Sequence, residues 1–150
     1  MKMNVDCIRD VLLYLEENLT YVEGKENLFQ HAEINVQEII DAMKQNYNVS
    51  DISYSIEQLI KGEYISTGMV VHGNNEELLI CNIKDITWEG HEFLNSVRPK
   101  EVWQTVKEGI KTFGTMSLNV MKQYAETILM QLITNPDNMA KAGEFISKLF

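Results

Sequence analysis

The order of elements written between Asn35 and Leu94 restricts the fold more than any other feature of this chain. Asn35-Val36-Gln37-Glu38 reads as a capping box, in which Asn35 caps free amides and Glu38 reaches back. The helix it starts carries Val36, Ile39, Ile40 and Met43 inward and is expected to end near Asn46. Tyr47-Asn48-Val49 makes a short turn. Ser50 is expected to cap the next helix, with Ile52, Ile56, Leu59 and Ile60 as its buried face and Gly62 as its stop. Tyr64 to Val71 and Leu78 to Ile83 then read as strands flanking His72-Gly73-Asn74-Asn75-Glu76, a turn-rich tip. Thr87 is placed to cap a further helix. Gly90, in its first turn, allows close approach of a neighbouring backbone, and Trp88, Phe93, Leu94 and Val97 are expected to pack that helix inward.

Two short helices joined by about four residues form a helix-turn-helix, and a hairpin behind them forms a wing. The expected fold class is α+β, mostly helical: a winged helix-turn-helix with additional C-terminal helices. An amphipathic helix precedes it, from about Asn4 to Leu19, with Val5, Ile8, Leu12, Leu15 and Leu19 in one stripe. Tyr21 to Glu33 reads as a loop with room for a short strand. Pro99 suits the first turn of a helix running to about Phe113, which Gly114 breaks. Ser117 caps another, stopped by Asn135-Pro136, and a last short helix spans Met139 to Phe150. The expected organisation is a winged domain over residues 1–98. Residues 99–150 are a helical extension that packs on it, forms a dimer seam, or does both.

Charge limits the partners. The net charge is −9, and residues 1–62 hold 5 basic and 11 acidic side chains, residues 63–100 hold 3 and 6, and residues 101–150 hold 5 and 5. An acidic chain is repelled at long range by DNA phosphates and by anionic membranes. Cys7 and Cys81 form no CxxC pair and are expected to be buried free thiols, which fits a reducing cytoplasm. No signal peptide or membrane span is read from the sequence.

The outward face of the second motif helix contains Ser50, Tyr54, Glu57, Gln58 and Lys61, with Asp51 at its edge. Gln58 has the groups to pair with an adenine edge, and Lys61, Lys44 and Lys84 are the candidate phosphate contacts. At the wing tip, His72, Asn74 and Asn75 are placed to touch a backbone or a partner, opposed by Glu76 and Glu77. Asp51 and Glu57 would repel the phosphates that Lys61 attracts, by up to ~4 kcal/mol per charge pair near a surface before screening. His31, His72 and His91 have no metal-site spacing, and no nucleophile motif or phosphate loop is present, so no metal, cofactor or catalytic residue is expected. The helix from Ser117 carries Leu118, Met121, Tyr124, Ile128 and Leu132, a candidate homodimer seam, with Met116 and Met130 nearby.

Ile86 to Arg98, read ITWEGHEFLNSVR, resembles a signature of bacterial and phage proteins grouped as domain of unknown function 2513. The likeness extends to Cys7-Ile8-Arg9-Asp10-Val11-Leu12-Leu13, to Gln58-Leu59-Ile60-Lys61-Gly62-Glu63-Tyr64-Ile65, and to Val102-Trp103 and Val106-Lys107. Its specific part is Ile86, Thr87, Gly90, Phe93 and Leu94. Many relatives pair a tyrosine with a histidine in the second motif helix; here Tyr54 is followed by Ser55. The resemblance implies a winged helix and a phage or prophage setting, and no known activity. Two functions stay open: a non-catalytic regulator that binds double-stranded DNA as a dimer, ahead on fold analogy, and an acidic module that binds a basic protein as an antirepressor or DNA mimic does.

Overall fold

Asparagine side chains start three of the helices. The Asn4 side chain accepts from the Cys7 amide at 3.1 Å and opens α1 (Val5–Asn18), whose Cys7, Ile8, Val11, Leu12 and Leu15 are buried. Asn35 accepts from the Gln37 amide at 2.8 Å and opens α2 (Val36–Met43), which stops three residues before the expected Asn46. Asn48, not Ser50, caps α3 (Val49–Lys61), accepting from the Asp51 amide at 2.7 Å. The Tyr47 hydroxyl donates to Asp10 on α1 at 2.6 Å, and the next residue, Asn48, takes the extended cap conformation. Ser50 is left exposed inside the first turn.

The computed structural model describes residues 1–24, 29–75 and 78–135, and for residues 29–31 and 78–80 the backbone alone. The architecture is α+β and mostly helical, with six helices and two small antiparallel sheets among the described residues. The expected last helix from Met139 to Phe150, and the acids Glu76 and Glu77, lie outside them.

Thr20 to Ala32 holds a hairpin where a loop with one short strand was expected: β1 (Thr20–Glu23) pairs with β2 (Phe29–Ala32). All four β1 residues are exposed, so no alternation of apolar and polar residues announced the strand. The second sheet has the order β3-β5-β4, from β3 (Ile34–Asn35), β4 (Ile65–His72) and β5 (Leu78–Ile86). Ile34 lies opposite Ile83 and Ile65 opposite Ile86, while the Asn35 side-chain amide donates to Asn82 at 3.0 Å and ties β3 to β5. The β4–β5 register shifts between Ser66 and Thr67, between Thr67 and Val70, and between Val71 and His72. Ile34, Ile65, Cys81, Ile83 and Ile86 from the sheet, and Ile52, Ile56 and Leu59 from α3, are all buried.

The chain divides into the compact units Met1–His91 and Glu92–Phe150, and the division falls within α4 (Trp88–Val97). Phe93, Leu94 and Val97 are fully buried as expected, but Trp88 is 75% exposed. The helical repeat explains the correction: Gly90, Phe93, Leu94 and Val97 follow steps of three, one and three, whereas Trp88 shares its side with exposed Asn95. In the second unit, α5 (Lys100–Phe113) starts after Pro99 and ends at Gly114, whose φ of 87° is the left-handed region open to glycine. The Ser117 hydroxyl accepts from the Val120 amide at 3.2 Å and opens α6 (Leu118–Thr134), which packs on α5. No helix among the described residues is long and apolar enough to cross a membrane.

Candidate partner-binding surface

Helical spacing brings Ser50, Tyr54, Gln58 and Lys61 to one side of α3; Ser50 and Lys61 are exposed, Tyr54 and Gln58 half-buried. Lys61 lies 3.2 Å from Glu57, one turn back on the same helix. Lys44, just past α2, lies 3.5 Å from Asp41. Both pairs are solvent-exposed and contribute only about 0.3–0.5 kcal/mol. Their larger consequence is that each motif lysine carries a neutralising carboxylate beside it.

The first turn of α3 is occupied by polar groups of the chain itself. Asp51 accepts from the Asn4 side-chain amide at 3.1 Å and from that of Asn48 at 3.4 Å. The Tyr54 hydroxyl lies 3.5 Å from the Met1 carbonyl oxygen, to which it donates. This involvement of Met1 and Asn4 was not foreseen. The sequence placed Asn4 only near the start of the first helix, and its contact with Asp51 spans 47 positions. The acid sits where a helix N-terminus stabilises negative charge. A recognition helix presents these same N-terminal residues to base edges.

On the hairpin, His72 ends β4, and Asn74 and Asn75 form the exposed turn after it. Lys84 is exposed on β5; Cys81 and Ile83 face the core, and the strand alternation turns Lys84 away from it. The expected cation contacts therefore sit on three separate elements.

Ser55 does not share the outward face. It is buried, and its hydroxyl makes no hydrogen bond among the described residues. Burial pushes the Cys7 thiol above its ordinary value, and the charges of Asp51 and Asp10 add to the rise. Burial alone raises Cys81. Tyr47 is raised further, first by burial and then by its hydrogen bond to Asp10. Both thiols are thus protonated and unreactive at neutral pH. Among the described residues, no group of three His, Cys, Asp or Glu is placed to hold a metal ion.

Where α3 meets the hairpin, the backbone is locked. Glu63 adopts φ 61°, its carbonyl accepts from the Thr87 hydroxyl at 2.6 Å, and the Thr87 amide donates to the Tyr64 carbonyl at 3.0 Å. The same Thr87 oxygen accepts from the Gly90 amide at 3.1 Å and caps α4. A Cβ on Gly90 would collide with the Tyr64 carbonyl oxygen. Thr87 and Gly90 are two of the residues on which the resemblance rests, and both act here on the backbone of the corner.

The family described as "Hypothetical protein (DUF2513)" matches residues 2–117. The chain belongs to this family. An uncharacterized protein of Haemophilus influenzae (strain ATCC 51907 / DSM 11121 / KW20 / Rd) is 29% identical over 134 residues, covering 89% of this chain and 99% of that protein. No solved structure matches the chain. The DUF2513 match ends at the residue that caps α6, so α6 lies beyond it.

Proposed function

We propose that residues 1–98 form a winged helix-turn-helix, with α2 and α3 as the motif and the β4–β5 hairpin as the wing. With the β1–β2 pair inserted after α1, the succession β3-α2-α3-β4-β5 and the strand order β3-β5-β4 support this reading. On it, the protein is a non-catalytic regulatory module of bacterial or phage type acting in the cytoplasm, where buried, unbridged Cys7 and Cys81 are at home.

The outward face of α3 and the wing bind a basic protein surface, in the manner of a DNA mimic. The observation that carries this is the charge on α3: its outward side offers Asp51, Glu57 and one cation, Lys61, which Glu57 already neutralises. A duplex reader needs a basic footprint to release counterions. The second reading is duplex DNA, favoured by the motif order and by exposed Ser50, Asn74, Asn75 and Lys84, with Gln58 beside them.

Fluorescence anisotropy separates the two. A labelled random-sequence duplex at ~20 mM salt is expected to show no binding. A labelled arginine-rich peptide is expected to bind, to be released by salt, and to be lost with Asp51→Asn plus Glu57→Gln. Salt-sensitive duplex binding, with no peptide binding, overturns the protein reading in favour of DNA.

A further inference from the structure

We propose that the outer edge of β4 takes a short extended segment of a basic partner protein as an added strand, with a lysine or arginine of that segment on the Glu33 carboxylate. β4 is the edge of its sheet: it pairs with β5 on one side, and in the order β3-β5-β4 no strand lies on its other side among the described residues. Its eight residues span ~27 Å, and roughly every second one turns its N–H and C=O away from β5. An edge of this length is usually guarded by a charge or a proline within the strand, but Ile65 to His72 contains no Asp, Glu, Lys, Arg or Pro. Met69 is 57% exposed and Val71 38%, so the strand also offers apolar surface beside its free edge.

Charge at the edge selects the occupant. Glu33, the residue before β3, sets its carboxylate over Gly68 of β4: a Cβ there would lie 2.6 and 2.7 Å from the two carboxylate oxygens. The carboxylate therefore stands where a β4 side chain would. Glu33 forms no ion pair among the described residues, and Lys84, which continues the β3–β5 register opposite it, forms none either. Residues 1–62 hold 5 basic and 11 acidic side chains and residues 63–100 hold 3 and 6, so an acidic segment is repelled and a basic one drawn in. A second copy of the chain fits less well. Pairing β4 with itself around Gly68 brings two Glu33 carboxylates together, and it sets a strand with register shifts between Ser66 and His72 against the same irregular strand. The dimer seam expected on α6 is largely used within the chain: Leu118 and Met121 are buried, α6 packs on α5, and Tyr124, Ile128 and Leu132 are half-buried.

The proposal rests on the protein-binding reading and adds to the acids of α3 a contact on the backbone of the wing. In this mode main-chain hydrogen bonds give affinity, and side chains at alternate positions of the incoming strand give selectivity. The incoming lysine or arginine belongs opposite Gly68, where the missing side chain leaves Glu33 within its reach.

The test uses the full chain and a peptide of about nine residues, alternating threonine and valine with one central lysine. Titrated to about 1 mM, the peptide is expected to bind and to slow amide hydrogen exchange across Ile65–His72 at least about fivefold. The same peptide N-methylated on two consecutive central amides cannot pair fully along either of its edges, and is expected to bind at least about tenfold more weakly. Glu33→Gln is expected to weaken the lysine peptide about threefold and to leave a peptide with central threonine unchanged. Glu33 is exposed, so this variant should keep the wild-type circular dichroism. No binding, equal binding of the methylated peptide, or protection confined to α3 overturns the proposal. Protection of Ile65–His72 that appears without peptide as the protein is concentrated assigns the edge to a second copy and overturns it too. The two readings fail separately: binding of the arginine-rich peptide without the strand peptide sinks the edge alone, and the reverse sinks the α3 contact alone.

Discussion

The Thr87 hydroxyl donates a 2.6 Å hydrogen bond to the carbonyl oxygen of Glu63, twenty-four positions earlier in the chain. Glu63 sits at φ 61°, a conformation that costs a residue with a Cβ roughly 1–2 kcal/mol. Glycine at 62 does not take that conformation; its φ is −82°. The strain is held in place by the Thr87 bond and by the Tyr64 amide, which donates to the Leu59 carbonyl at 2.9 Å. Thr87→Val keeps the shape and removes both the tether and the α4 cap. Urea unfolding should show a loss of about 2 kcal/mol, most of it restored by Thr87→Ser.

Gly90→Ala should destabilise although alanine is the better helix former by about 1 kcal/mol. The added methyl meets the Tyr64 carbonyl oxygen and the Ile86 side chain, and the Tyr64 carbonyl cannot retreat without giving up its bond from the Thr87 amide. The expected net loss is about 1–3 kcal/mol, read from the unfolding midpoint. A neutral or stabilising outcome would mean that the corner is not packed as described.

The identity of the α3 cap is separable by two substitutions. Asn48→Ala should cost about 1 kcal/mol, since it frees the Asp51 amide and also removes a donor to the Asp51 carboxylate. Ser50→Ala should be within about 0.5 kcal/mol of wild type, because Ser50 is exposed. A larger loss from Ser50→Ala than from Asn48→Ala would return the cap to Ser50.

Stability should fall at alkaline pH. The folded pKa values of Cys7 and Cys81 are raised above the ordinary 9.0, and that of Tyr47 above the ordinary 10.0. Each group therefore holds its proton more tightly in the folded chain. The corresponding stability is complete below the unfolded values and is lost as pH climbs past them. A plot of unfolding free energy against pH should be flat near neutrality and decline above about pH 9, with Tyr47→Phe flattening the portion above about pH 10. A decline centred near neutrality would contradict the assignment.

Helix starts, the helical pair and the hairpin behind it were legible because they rest on local chemistry: cap residues, apolar periodicity and turn formers act within a few positions. The β1–β2 pair was not, because its strands are solvent-exposed and have no buried face to impose alternation. Trp88 misled for the opposite reason. A large aromatic is usually covered, but its place in the α4 repeat puts it opposite the buried row. The candidate surface was legible residue by residue along α3, whereas the coupling of Asp51 to Asn4 and of Tyr54 to Met1 crosses about fifty positions and has no local signature.

The amino-acid order alone determined where α2, α4 and α6 begin, which side of the motif helices is apolar, that negative charge is concentrated in residues 1–100, and that Thr87 and Gly90 belong to a recognisable signature. Tertiary structure alone decided what those two residues touch and which cap starts α3. Periodicity reports which side of an element avoids water, and many packings satisfy that demand equally. The choice among them depends on long-range contacts such as Thr87 with Glu63, which exist only once distant backbones have met.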